Sequence, residues 1–161
     1  MPTVITGTEG INQVQTGAVE SGDLPAGSVI QVVHTVVRPN ITTNSSSPVA
    51  LGLSASITPQ SSSSKFLLTA IIHAKTDDID SGYGLVFIRD GAEIHTPGGY
   101  YEIYGADYTD IRRKSPFQYL DTPNTTSTIT YDAQPEPYDN KTVRFGESFF
   151  DCNFTIMEIA G

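Results

Sequence analysis

The sequence predicts an all-β chain: an antiparallel β-sandwich, jelly-roll-like, over residues 28–161, preceded by an extended N-terminal arm over residues 1–27. Three observations predict it. Short β-branched and aromatic runs recur along the chain without a sustained helical period. Clusters of Pro, Gly, Ser and Asn punctuate those runs at short intervals. The composition is only 38% hydrophobic and 17% charged, the balance being small and polar, which suits strands and turns better than helices.

The arm comes first. "GTEGINQVQTGAVESGDLPAG" is glycine-spaced and thin in apolar residues, so alone it cannot offset the entropy of ordering. Pro25 and Gly27 are expected to bend the chain into the first core strand. "SVIQVVHTVV" then reads as a strand apolar on both faces, as if buried between two layers, and Pro39 closes it. "VALGLSASIT" places Leu51, Leu53, Ala55 and Ile57 on one face at period two. "FLLTAIIHAK" is a second doubly apolar run, followed by the acidic segment "TDDIDSGYG".

"YGLVFIRDGAEI" carries Asp90-Gly91 between two apolar runs, the dipeptide that a two-residue hairpin turn prefers. "HTPGGYYEIYGADYTDIRRKSP" reads as a long irregular connection, of a length that usually carries function or an interface. "FQYLDTP" and "STITYDAQ" read as strands, "PEPYDN" as a turn, and "TVRFG" and "NFTIMEIA" as the closing strands. About eight strands at this spacing indicate the sandwich or jelly roll. Val32, Leu53, Leu68, Ile71, Phe87 and Ile156 are the expected core, joined at the end of the chain by Phe154 and Ile159 with Met157 between them.

Charge and cysteine content narrow the function classes. A net charge of −9, with only nine Lys and Arg, argues against binding a phosphate backbone, so nucleic acid is not an expected partner. No apolar run reaches the roughly 20 residues of a membrane helix, so no membrane insertion is expected. "MPTVITGTEG" has neither the basic nor the apolar region of a secretory signal, so the chain is expected to be made and kept in a cytoplasm. The single Cys152 excludes an intrachain disulfide and reads as a small buried hydrophobe.

Catalytic and metal patterns are weak. Ser, Asp and the three histidines supply the residue types of a nucleophilic triad, but no GxSxG elbow anchors one. His34 and His73 lie within apolar strand patterns and read as satisfied core or interface imidazoles. Asp77, Asp78 and Asp80 could offer oxygens to calcium, yet their spacing departs from the twelve-residue calcium loop and no Glu closes the shell; they read as a solvated acidic loop. No metal and no cofactor is expected, and the chain is expected not to be an enzyme.

Two features remain as candidate binding residues. Tyr100, Tyr101, Tyr104 and Tyr108 are half of the eight tyrosines, in a stretch too polar for a core; such rings suit sugar stacking or a protein interface, and equally the covering of a loop. Arg112 and Arg113, with Lys114, gather three of the nine cations, either to meet acidic loops of a neighbouring copy or as solubilising charge.

"INQVQTGAVESGDLPAGSVIQVV", "GLSASITPQSSSSKFLLTA", "LVFIRDGAEI", "QYLDTPNTTSTITY" and the terminal "TIMEIAG" together resemble a family of virion proteins of tailed phages, marine and cyanobacterial ones especially, described as tail-fibre-like or minor structural proteins. The resemblance runs through nearly the whole chain in order. It implies a homotrimeric β-sandwich on the surface of a phage particle, assembled in the host cytoplasm and without enzymatic activity. The chain departs from long fibres in lacking a shaft, coiled-coil heptads and a chaperone-like tail, which leaves a fibre tip, a head fibre or a capsid decoration protein.

In that setting the arm is expected to dock on other virion proteins, capsid or tail, as a strand added to a sheet edge. The outer loops are expected to contact a host-surface glycan. A decoration protein that clamps the head and touches no receptor is the alternative reading, and a carbohydrate-active enzyme is a remoter one.

Overall fold

The computed structural model describes residues 23–76, 81–96, 110–138, 140–147 and 149–161. The sequence-predicted arm lies outside the described residues as far as residue 22. Ten strands follow: β1 (Val29–Val37), β2 (Ile41–Thr43), β3 (Ser54–Ile57), β4 (Lys65–Thr76), β5 (Tyr83–Arg89), β6 (Ala92–His95), β7 (Ile111–Asp121), β8 (Ile129–Pro137), β9 (Val143–Phe145) and β10 (Cys152–Ile159).

All pairings are antiparallel and form two sheets. The larger runs β1-β10-β4-β9-β2 with β7 on the other edge of β4; the smaller runs β3-β8-β5-β6. β9 and β10 occupy successive stretches of one edge of β4, and β2 and β1 pair with them in turn. Each of these two pairs is therefore one ribbon interrupted by a short excursion, at 38–40 and at 146–151. The two excursions touch: a Cβ on Gly146 would stand 2.0 Å from the Pro39 carbonyl oxygen, and its φ of +64° also favours glycine. Counted as ribbons, the sandwich is four on four. The chain changes sheet at every connection except the β5–β6 hairpin, which is jelly-roll connectivity.

The expected hairpin is present. Asp90 and Gly91 both have positive φ, 50° and 81°, as a type I′ turn requires, and the Asp90 carboxylate accepts a bond from the Thr130 amide. The bend before β1 is present too, with the Ser28 amide donating to the Pro25 carbonyl. Residues Gly27 and Ser28 are tied to the C-terminus by reciprocal bonds with Ala160.

The core lies between the sheets. β4 contributes Phe66, Leu68, Ala70, Ile72 and Ala74 at strict period two, facing Tyr83, Leu85 and Phe87 of β5 and Tyr131 of β8. Leu51, Leu53, Ala55 and Ile57 share one buried face as expected. Tyr83 meets Phe145 edge-on at 5.4 Å, and Cys152 is buried as a small apolar residue.

Several expectations are corrected. Val32 is not in the core but 54% exposed, and Val29 and Val36 are about as open, because β1 presents only one face to the other sheet. Ile71 is half-buried on the outward side of β4, where Ile72 takes the core position. In β10 the inward set is Phe154, Ile156 and Glu158, with Met157 and Ile159 outward, since positions 154, 156 and 159 cannot share one face at period two.

"IRRK", read as loop, belongs to β7, recruited by pairing with β4 from Phe66 to Thr76. "PEP", read as turn, ends β8. There β3 has already stopped opposite Asp132, so Pro135 and Pro137 lack no ladder donor on that side.

Candidate binding surfaces

Strand direction fixes a polarity. Thr76 ends β4 and faces Ile111, which opens β7. From that end depart the acidic segment, between Thr76 and Ser81, and the return of the tyrosine-rich segment at Asp110. The chain enters β1 at the opposite end, where Val29 faces Ile159 and Ile159 faces Lys65. Along the 12-residue β4 the two ends stand about 40 Å apart. Tyr100, Tyr101, Tyr104, Tyr108, Asp77, Asp78 and Asp80 themselves lie outside the described residues.

The outward face of the larger sheet is organised in rows that cross four ribbons. Nearest the tyrosine-segment end, Arg144, Lys75 and Arg112 stand side by side on β9, β4 and β7. Their charge is met within the chain. Asp110 accepts from Lys75 Nζ and Arg112 Nη1, both at 2.9 Å; Glu147 takes Arg112 Nε at 2.9 Å and lies 3.7 Å from Arg144 Nη1. These partners hold the Asp110 carboxyl below its usual range, the bond from Lys75 first. Arg112, a sequence-predicted binding residue, thus serves as one arm of an intrachain network. Arg113, its neighbour, is exposed in the strand position opposite Ala74.

Next along β4 comes His73, outward-facing yet buried because the 146–151 excursion folds over it. The Phe150 ring stacks on the imidazole at 4.0 Å. Its backbone is bonded to Cys152 and Gly146, but its Nδ1 has no hydrogen-bond partner among the described residues, so the imidazole expected to be a satisfied core or interface group is buried yet not fully satisfied. Burial lowers its pKa, with Lys114 and Arg112 adding to the effect and Glu147 opposing it. Phe149 beside it is 87% exposed and lines a cleft of ≈ 270 Å³ with Asn40, Arg144 and Glu147.

Beyond Phe150, towards the arm end, the face changes character. Val36, Asn153, Ile71 and Pro116 form one row, His34, Thr155, Thr69 and Gln118 the next, and Val32, Met157, Leu67 and Leu120 the third. None of these twelve is an Asp, Glu, Lys or Arg. Val32 and Leu120, at the two ends of the last row, are 54% and 49% exposed. The middle row is bonded internally: His34 Nδ1 pairs with Thr155 Oγ1 at 2.8 Å, and Gln118 Nε2 donates to Thr69 Oγ1 at 3.3 Å. His34 is therefore exposed, not in the core. His95, the third histidine, stacks on Tyr119 at 4.3 Å.

No family model matches the chain, and no curated protein matches it. Among solved structures it is similar to dimeric latent PorU from Porphyromonas gingivalis, at 11% identity over 88% of this chain and 14% of that one, with a TM-score of 0.38. At that score the likeness carries no argument.

Sequence reasoning missed the uncharged face, the Phe150 cap and the buried Glu158. One signal for the face was available. Strands apolar on both sides need cover on both sides, and the sequence shows no sustained helical period that would supply it.

Proposed function

We propose that this chain is a non-enzymatic structural protein of a tailed-phage virion, a homotrimeric module of fibre-tip or head-fibre type. Its N-terminal arm fixes it to other virion proteins and its far end meets the host surface. It is assembled in the host cytoplasm and resides on the particle. The observation that supports this reading is the polarity of the sandwich. The chain leaves the arm at one end, while the tyrosine-rich segment is anchored through Asp110 at the other, about 40 Å away. A protein that must hold a particle on one side and reach a ligand on the other needs this separation. Tyr100, Tyr101, Tyr104 and Tyr108 supply the rings that would stack on a glycan, a ligand class that aromatic faces recognise without charge. Arg112, salt-bridged to Asp110 beside that segment, contributes by holding its base in place.

The test is accessibility on intact particles. One short epitope is inserted after Gly10 and another in the 97–109 segment, each in full-length protein incorporated into virions. The expected result is antibody binding to the second and none to the first until the particle is dissociated. Binding to the arm epitope alone would overturn the orientation. If both epitopes behave as expected but soluble protein fails to compete with particles for adsorption to host cells, the capsid-decoration reading replaces the receptor-contacting one.

A further inference from the structure

We propose that the uncharged outward face of the larger sheet, from the Val32 row to the Val36 row, is where copies of this chain bind one another. The inference rests on the self-assembling reading above and names its contact surface. The charge argument comes first. The chain carries −9 overall, and two such copies repel wherever their acidic surfaces meet. Three adjacent rows without a formal charge let acidic copies approach without opposing like charges. Depletion of charge at a patch centre is the compositional mark of an interface.

The pattern also suits burial. A polar row lies between two largely apolar rows, so apolar side chains flank a strip whose polar groups are already paired. Because His34 with Thr155 and Gln118 with Thr69 are already bonded within the chain, covering that row strands few donors. Area is the third argument. Four ribbons by five residues project to about 320 Å², about two-fifths of the roughly 800 Å² that each partner buries in a stable complex before side-chain relief is counted.

The experiment compares the wild-type chain with Val32→Glu/Leu120→Glu by sedimentation velocity at micromolar concentration. The Ser56→Glu variant, on the exposed face of β3, is the control. The wild type and the control are expected at the mass of three chains and the double variant at the mass of one, all three with the same β-type circular dichroism. A double variant that keeps the wild-type mass overturns the proposed face and leaves self-assembly standing. A single-chain wild type overturns both. A wild-type mass of two chains, reduced to one by the double variant, supports the face and corrects the threefold count. Should the double variant fail to fold, Gln118→Cys treated with a short bismaleimide decides: crosslinked chains at Gln118→Cys but not at Ser56→Cys support the face, and the reverse overturns it.

Discussion

Tyr131 and Asp121 meet inside the sandwich, the Tyr131 hydroxyl donating to Asp121 Oδ2 at 2.6 Å and so joining the smaller sheet to the larger. The same oxygen accepts from Arg89 Nη1 at 2.7 Å. Burial, and then the bond to Asp121, push the Tyr131 phenol well above its usual value, so it stays a donor at any pH at which the protein is handled. Tyr131→Phe should cost about 1–2 kcal/mol, and Asp121→Ala about 3 kcal/mol because it strands both donors. Urea titration of the two variants checks the order; an Asp121→Ala variant as stable as Tyr131→Phe would show that Arg89 contributes nothing.

Glu158 is a fully buried carboxylate at a position where period two calls for an apolar residue. It accepts from Gln31 Nε2 of β1 and from the Gln60 amide at 2.7 Å, tying the entry of β1 to the 58–64 connection. Glu158→Ala should destabilise by about 2–3 kcal/mol, and Glu158→Gln by clearly less because it keeps an acceptor. Thermal unfolding of the pair tests this, and equal losses would mean that volume rather than the acceptor matters.

His73 gives the fold a pH dependence whose sign follows from its lowered pKa. Below the unfolded value of 6.5 the unfolded chain takes up a proton that the folded chain resists, so stability falls as pH drops through that value and levels off at the lower folded pKa. Each unit of separation costs at most about 1.4 kcal/mol. Thermal midpoints between pH 7 and 5 should decline in the wild type and decline less in His73→Phe, which keeps the stack on Phe150. Parallel declines would remove His73 from the account.

Much of the fold was legible because strand, turn and hairpin signals are local. Asp90-Gly91, the Leu51–Ile57 alternation and the Pro25–Gly27 bend all read directly from adjacent residues. What did not read was which side of an apolar strand faces the other sheet. Val32 and Val33, or Ile71 and Ile72, are interchangeable by hydropathy, and only pairing across the sheet turns one of each towards the core. Glu158 is the converse case: its carboxylate is buried because Gln31 and Gln60, remote in sequence, bring it donors. The candidate site was legible in part. Arg112 was singled out for its charge, but its intrachain partners Asp110 and Glu147 depend on strand register and on the 146–151 excursion. The uncharged rows arise from four strands that no local window spans.

The central claim is that the arm attaches the protein and the sandwich stands without it. It is tested most directly by deleting residues 1–22 and measuring occupancy on particles, with the thermal midpoint of the purified variant as the reference. The account predicts a midpoint within about 2 °C of the full chain, since the buried core cluster of the described residues runs from Leu51 to Ile156, and near-total loss from particles. Full occupancy without the arm, or a variant that unfolds readily, would contradict it.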